Sequence, residues 1–430
     1  VEQPTPLPTD QETVPVDPTQ PTDPSMANIA LSNLSRDTNP AVPDSQLSDL
    51  VAGNNAFALD FYQAVRQQGG NLFYSPFSLS LALAMTHAGA RGETAEQMAE
   101  ALSFILAAQQ LHPAFNALDL ELARRGTEPV DVEGETQPFQ LNIANSAWAQ
   151  DDYPFLEEYL DILALNYGSG IHLVDYMQDA EAARQAINDW VSEMTEGKIE
   201  DLIPEGALDF YTRLVLANAI YFKANWYFPF DEDLTTDGVF HLLNGEQVVV
   251  DMMSHSLPEM MRYTQGNGYQ AVQIPYVGGE VAMTVLIPDE GNFSEFEASL
   301  DAGLLAAIMD DLEYQSVQLT MPKFEFESEF LLKDVLREMG MPAAFEPGLA
   351  DFSGMDGSRD LYIDEVIHKA YVGVDEEGTE AAAATAVIIR AVSLPITDIE
   401  LVIDQPFIFL INDVPTGTVL FTGRVVNPLE

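Results

Sequence analysis

Six histidines, His87, His112, His172, His241, His255 and His368, are the side chains through which acid–base or zinc chemistry near neutral pH would run most readily. Their spacing supplies neither. None stands in an H-E-x-x-H arrangement or beside a second ligand at metal spacing, so no metal site is expected. A G-x-S-x-G elbow and a phosphate loop do not occur, and Gly266-Asn267-Gly268 lacks the third glycine of a dinucleotide fingerprint. The acidic residues between Asp351 and Asp360 do not follow EF-hand spacing. A triad gathered from distant residues would leave no such trace. The expectation is a protein that is not an enzyme and carries no cofactor.

The informative stretch lies elsewhere, in a segment whose composition is unlike ordinary sequence. Asp375-Glu376-Glu377-Gly378-Thr379-Glu380 is followed by Ala381-Ala382-Ala383-Ala384-Thr385-Ala386-Val387-Ile388-Ile389, then Arg390-Ala391-Val392-Ser393-Leu394-Pro395. Four alanines favour helix, yet they stand behind a glycine and ahead of β-branched residues, which favour strand. Conflicting local preferences are expected at switching sites. If the segment is extended, Thr379, Ala381, Ala383, Thr385, Val387 and Ile389 share one face, all compact or apolar. The only charges, Glu380 and Arg390, lie on the other. Such a strand could enter a sheet at little steric cost. An exposed alanine-rich linker would have the same composition.

The elements around this segment must hold it. Val366 to Val374 reads as a strand before it, and strand pattern resumes at Leu401. Leu50, Phe57, Phe61 and Val65 recur at helical spacing, and Ser75-Pro76 starts a second helix through Leu79, Leu83 and Met85. Ile187 to Met194 reads as helix. Leu214 to Phe222, Ala282 to Ile287, Val317 to Met321 and Glu365 to Val374 read as strands. Phe407 to Ile411 and Val419 to Thr422 flank Pro415-Thr416-Gly417, a hairpin signal. The fold class is α+β, in one domain over residues 45–430.

Residues 1–44 read as a disordered, acidic Pro/Thr-rich tether: nine of the 26 prolines lie here and no aromatic residue does. Sixty-nine acidic residues against 17 basic give a net charge of −52. That excludes nucleic-acid partners, which need basic surfaces that release counterions, and makes a heparin-like cofactor unexpected. Cysteine is absent, so packing alone must hold the fold. No apolar run reaches the ~18 residues of a membrane span. The start at Val1 and the tether lead to the expectation of a secreted or cell-envelope-tethered, extracytoplasmic protein.

The chain closely resembles the serpin family, serine protease inhibitors, and most of all the prokaryotic members of inhibitory type. Glu376 to Thr385 is similar to the hinge of inhibitory serpins. Asn71-Leu72-Phe73-Tyr74-Ser75-Pro76-Phe77-Ser78, Asn218-Ala219-Ile220-Tyr221-Phe222-Lys223-Ala224-Asn225-Trp226, Met321-Pro322-Lys323-Phe324 and Asp404-Gln405-Pro406-Phe407-Ile408-Phe409 follow in family order. The resemblance implies a serpin fold, with three β-sheets, about nine helices and an exposed reactive-centre loop in a metastable state. It implies an irreversible suicide-substrate mechanism: loop cleavage, trapping of the acyl-enzyme and insertion of the loop into the central sheet. The implied partner is a serine protease held in a covalent complex by a monomer.

Residue roles carried over from the resemblance are these. The hinge is Glu377, Gly378, Thr379, Glu380, Ala381, Ala382, Ala383 and Ala384. Glu377 and Lys323 pair near Trp226 to close the top of the sheet. Ser75, Ser78, Asn218 and His368 form a polar cluster where the central strands part. Family spacing from Gly378 puts the reactive bond at Val392-Ser393, which suits an elastase-like target. Arg390-Ala391 stands as the alternative, suited to a trypsin-like target, and a non-inhibitory carrier or chaperone is the rival class.

Overall fold

The computed structural model describes residues 28–125, 131–132, 135–136, 140–379 and 399–430. Apolar spacing from Leu50 onward produces helix α1, Asp44–Val65, which buries Phe57, Phe61 and Val65. Helix α2, Pro76–His87, starts as its sequence indicates. Ser75 is the N-cap, its Oγ accepting the Ser78 N–H at 3.1 Å, and Pro76 stands where no N–H is needed. Eleven of its twelve residues, from Pro76 to Thr86, are buried, so this helix runs through the core instead of lying on it.

Seven strands form the central sheet: β1 Ile29–Ala30, β2 Gln140–Gln150, β3 Ile171–Val174, β4 Leu214–Asn225, β5 Phe324–Leu331, β6 Glu365–Val374 and β7 Gly378–Thr379. Their spatial order is β1-β3-β2-β4-β7-β6-β5. The β2 and β4 strands are antiparallel, whereas β4 and β6 are parallel and pair directly from Val215↔Glu365 to Ile220↔Ala370. At one end β7 lies between them, with Gly378 opposite Asn225, and Thr379 opposite both Ala224 and Val374. The seam between β4 and β6 is thus closed along six residue pairs and filled by two residues at its top.

A second sheet of ten strands includes Val281–Pro288 and the hairpin Phe407–Asp413/Val419–Val425. A short two-stranded pairing, Asp131–Val132 with Glu135–Thr136, is the third. Ten α-helical segments occur among the described residues, close to the expected nine. Phe61, Tyr74 and Phe330 pack edge to face between α1 and β5, at centroid distances of 4.8–6.2 Å.

The expected domain boundary at residue 45 falls too late. Residues 28–44 are docked on the domain: Ile29 and Ala30 pair with His172 and Ile171, and the Asp37 N–H donates to Leu165 O at 2.9 Å. Arg36 Nη2 meets Asp119 Oδ2 at 2.5 Å and its Nε donates to Asn116 Oδ1. Open β3 edge groups and the side chains of Asn116 and Asp119 supply the partners that composition alone does not reveal.

Candidate functional site

The seam between β4 and β6 carries two clusters, one at its top and one beneath. At the top, Thr379 is 1% exposed and its Oγ1 lies 2.6 Å from Tyr276 OH. Gly378 must be glycine here: a Cβ would come within 2.2 Å of Ala224 O and 2.8 Å of Asn225 Cα, both backbone atoms. Trp226 stacks on Tyr276 at 4.5 Å and 10°. Its indole N–H donates to Asp375 O at 2.9 Å, and its backbone N–H donates to Glu377 O at 2.8 Å. Burial pushes the Tyr276 phenol up, opposed by its hydrogen bond to Thr379, so it stays neutral.

The ion pair at this end differs from expectation. Lys323 Nζ meets Glu376 Oε2 at 2.7 Å; the carboxylate is that of Glu376, not Glu377. The cause is the turn after β6. Asp375 Oδ1 accepts the N–H groups of Glu377 and Gly378, at 2.9 and 3.1 Å, which folds the chain back immediately after Val374. That turn aims Glu376 inward, where Thr235 Oγ1 also donates to it at 2.6 Å. Burial opposes the charge on Glu376, but the bonds from Lys323 and Thr235 outweigh it and hold the carboxyl below its usual range. Burial likewise opposes Lys323, and Glu376 holds it above its ordinary value.

Beneath, the four residues assigned to the polar cluster come together. The Ser75 N–H donates to His368 Nε2 at 3.1 Å, which makes Nε2 the acceptor and leaves the proton on Nδ1, bonded to Asn218 Oδ1. Asn218 Nδ2 donates to Ser78 Oγ at 2.7 Å. Burial pushes His368 down to about 3, so the ring is neutral. His368 and Asn218 are cross-strand partners across the β4–β6 seam. Asn145, on β2, completes the cluster: its Oδ1 accepts from Ser78 Oγ at 3.0 Å and from Asn218, and its Nδ2 donates to Ser78 O.

Sequence reasoning missed Asn145, Glu376 as the pair-former, Thr235 and Tyr276. Only the asparagine's position opposite Asn218 in an Ala/Asn/Ser-rich strand could have signalled it. Of the hinge, Glu377, Gly378 and Thr379 are described. Glu380, Ala381, Ala382, Ala383 and Ala384 lie outside the described residues, as do both candidate bonds, Arg390-Ala391 and Val392-Ser393.

The parallel seam is closed along its length, with Gly378 and Thr379 seated at its top and a buried polar cluster below. A family model described as "Serpin (serine protease inhibitor)" matches residues 52–428, and the chain belongs to the serpin family. An uncharacterised serpin-like protein of Thermococcus kodakarensis is 40% identical, covering 90% of this chain and 88% of its own. Leukocyte elastase inhibitor A of Mus musculus is 37% identical, covering 89% of this chain and all of its own. Among solved structures, the thermophilic serpin tengpin in its native state superposes with a TM-score of 0.78 at 26% identity, covering 93% of this chain and 97% of that one. Thyroxine-binding globulin, in complex with thyroxine, gives 0.76 at 28% identity, covering 88% and 99%.

Proposed function

We propose that this serpin is a suicide-substrate inhibitor of a serine protease with elastase-like specificity, cut at Val392-Ser393. The protease serine attacks the Val392 carbonyl carbon, the bond to Ser393 breaks, and the Ser393 amine leaves with a proton. An ester then links Val392 to the protease. The freed segment enters between β4 and β6, exchanging their direct pairing for a strand that continues β7 and, like it, is antiparallel to both. Glu377 to Val392 spans 16 residues, roughly 50 Å of strand at about 3.3 Å each, enough to carry the protease the length of the sheet.

The observation that carries this reading is the seating of Gly378 and Thr379 between Ala224-Asn225 and Val374, above a seam otherwise closed. Insertion needs only to continue what those two residues begin, breaking the His368–Asn218 bond as it passes. Similarity to leukocyte elastase inhibitors and the valine at 392 support the elastase-like class. Arg390 supports a trypsin-like target as the second reading. Similarity to a thyroxine-binding relative makes a non-inhibitory carrier an outcome of the test, although the compact hinge favours inhibition. The acidic Pro/Thr-rich segment supports display outside the cytoplasm; native protein found free in the cytoplasm would contradict that.

The test is incubation with elastase-like and trypsin-like proteases, followed by denaturing electrophoresis. A band of protease-plus-chain size is expected with the first. Loop cleavage without such a band, across a broad panel, would sink the proposal.

A further inference from the structure

Away from the seam, a cleft of about 610 Å³ opens between the end of β4 and the ten-stranded sheet, within the size range of small-molecule sites. Tyr227, Phe228, Met260, Leu312 and Tyr314 line it. Three of these present apolar surface to solvent: Tyr314 is 70% exposed, Met260 54% and Tyr227 47%. The same cleft holds a cation, Arg262.

Strand register explains why these side chains converge. On Glu259–Gly266, Met260 and Arg262 are two apart and share a face, while Met261 between them is fully buried. Tyr314 and Gln273 are the cross-strand partners of Arg262 on its two sides. Gln273 is 4% exposed, and a row of side chains fixes its orientation. Its Nε2 donates to Thr284 Oγ1 at 3.1 Å, and that hydroxyl donates to Asn412 Oδ1 at 2.9 Å. Gln273 Oε1 must therefore face Arg262, accepting from Nη1 at 3.3 Å. Nε and Nη2 donate to Leu312 O, and Nη2 also to Met309 O, at 3.1–3.3 Å.

All of these acceptors are neutral, and every distance is long for a guanidinium, whose bonds to carboxylates run about 2.7–2.9 Å. Holding Arg262 in place uses Nε, both N–H groups of Nη2 and one of Nη1. Among the described residues no acceptor meets the second Nη1 N–H, which is placed to meet a ligand oxygen. In a chain with 69 acidic residues against 17 basic ones, a cation fixed by neutral groups at an aromatic cleft is complementary to an anion with an apolar body.

We propose that this cleft binds a small amphipathic carboxylate, its anion on Arg262 and its flat apolar part against Met260, Tyr314 and Tyr227. The site is independent of the inhibitory reading. The probe is 1-naphthylacetate, titrated calorimetrically into the full chain beside its neutral amide. The acid should bind at least tenfold more tightly than the amide. Arg262→Gln should weaken the acid tenfold or more and leave the amide unchanged. Met260→Trp, at an exposed strand position that leaves the fold intact, should block both by filling the cleft. Equal binding of acid and amide, no binding of the acid to the unmodified chain, or binding untouched by Met260→Trp would each overturn the proposal.

Discussion

Lys323 reaches Glu376 across the top of the central sheet, Nζ to Oε2 at 2.7 Å, and so ties the turn that begins the hinge to the strand Phe324–Leu331. Glu376 is largely buried and has a second bond from Thr235, so its removal leaves Lys323 and Thr235 without their acceptor. Glu376→Gln should cost about 1.5–3 kcal/mol, the range for a hydrogen bond to a charged group. It should lower the thermal midpoint, measured at a fixed scan rate. Glu377→Gln should cost less. A larger effect at Glu377 than at Glu376 would reverse the assignment.

Gly378→Ala tests the start of insertion. The added methyl meets backbone on β4, which cannot yield as a side chain would. The β7 residues should be expelled and the Thr379–Tyr276 bond lost. Under the proposed mechanism the variant should be cleaved more and trap less, measured as moles of inhibitor consumed per mole of protease. An unchanged ratio would mean that seating these residues does not set the rate of insertion.

Asn145→Ala removes the acceptor shared by Ser78 and Asn218 and should destabilise by about 1–3 kcal/mol. Because these groups meet across the β2–β4 boundary beside the seam, spontaneous loss of inhibitory activity on incubation should also quicken. A midpoint within error of the unmodified chain would remove Asn145 from the cluster.

These residues divide what the sequence makes legible from what it does not. Ser75-Pro76, the strand Glu365–Val374 and the hairpin around Pro415-Thr416-Gly417 carry strong local signals, and each forms as expected. The strand Gln140–Gln150 was not anticipated, because Asn, Ala, Ser and Gln are poor strand formers; its place is secured by pairing along β4 instead. Asn145 was hidden with it. Glu376 and Glu377 are indistinguishable by type, and only the Asp375 turn decides which one points inward. Docking of residues 28–44 depends on a distant edge strand and on Asp119, neither visible in local composition.

Stability should fall in acid through the buried neutral histidines. Burial holds His368 and His112 at about 3 and His172 at about 4, against an ordinary value of 6.5. Above pH ~6.5 both folded and unfolded states are neutral and the contribution is complete. As pH falls from there toward the folded values, only the unfolded chain takes up protons. Each such histidine then removes up to about 1.4 kcal/mol per pH unit. His172 stacks on Trp148 at 4.3 Å, which phenylalanine can reproduce. His172→Phe should therefore lose less thermal stability than the unmodified chain between about pH 6.5 and about pH 4. Equal losses would show that His172 is not held neutral.

Arg36→Ala should detach the segment ahead of α1. The guanidinium bonds both Asp119 and Asn116 and is about a quarter exposed, so a loss of about 1 kcal/mol is expected. Proteolysis near residue 36 should become faster than in the unmodified chain. Unchanged cleavage would mean that the strand Ile29–Ala30 and the Asp37–Leu165 hydrogen bond hold the segment without Arg36.

The central claim is that cleavage of the loop traps the protease because the hinge continues into the seam. Intact-mass spectrometry of the denatured mixture with an elastase-like protease tests it most directly, run beside Thr379→Arg. The unmodified chain should give a mass equal to protease plus residues 1–392 joined by an ester, with a released peptide beginning at Ser393. Thr379→Arg, which would bury an unpaired charge, should release the same peptide and give no joined mass. A joined mass formed equally well by Thr379→Arg would contradict trapping by insertion, and free cleaved products from both chains would contradict inhibition itself.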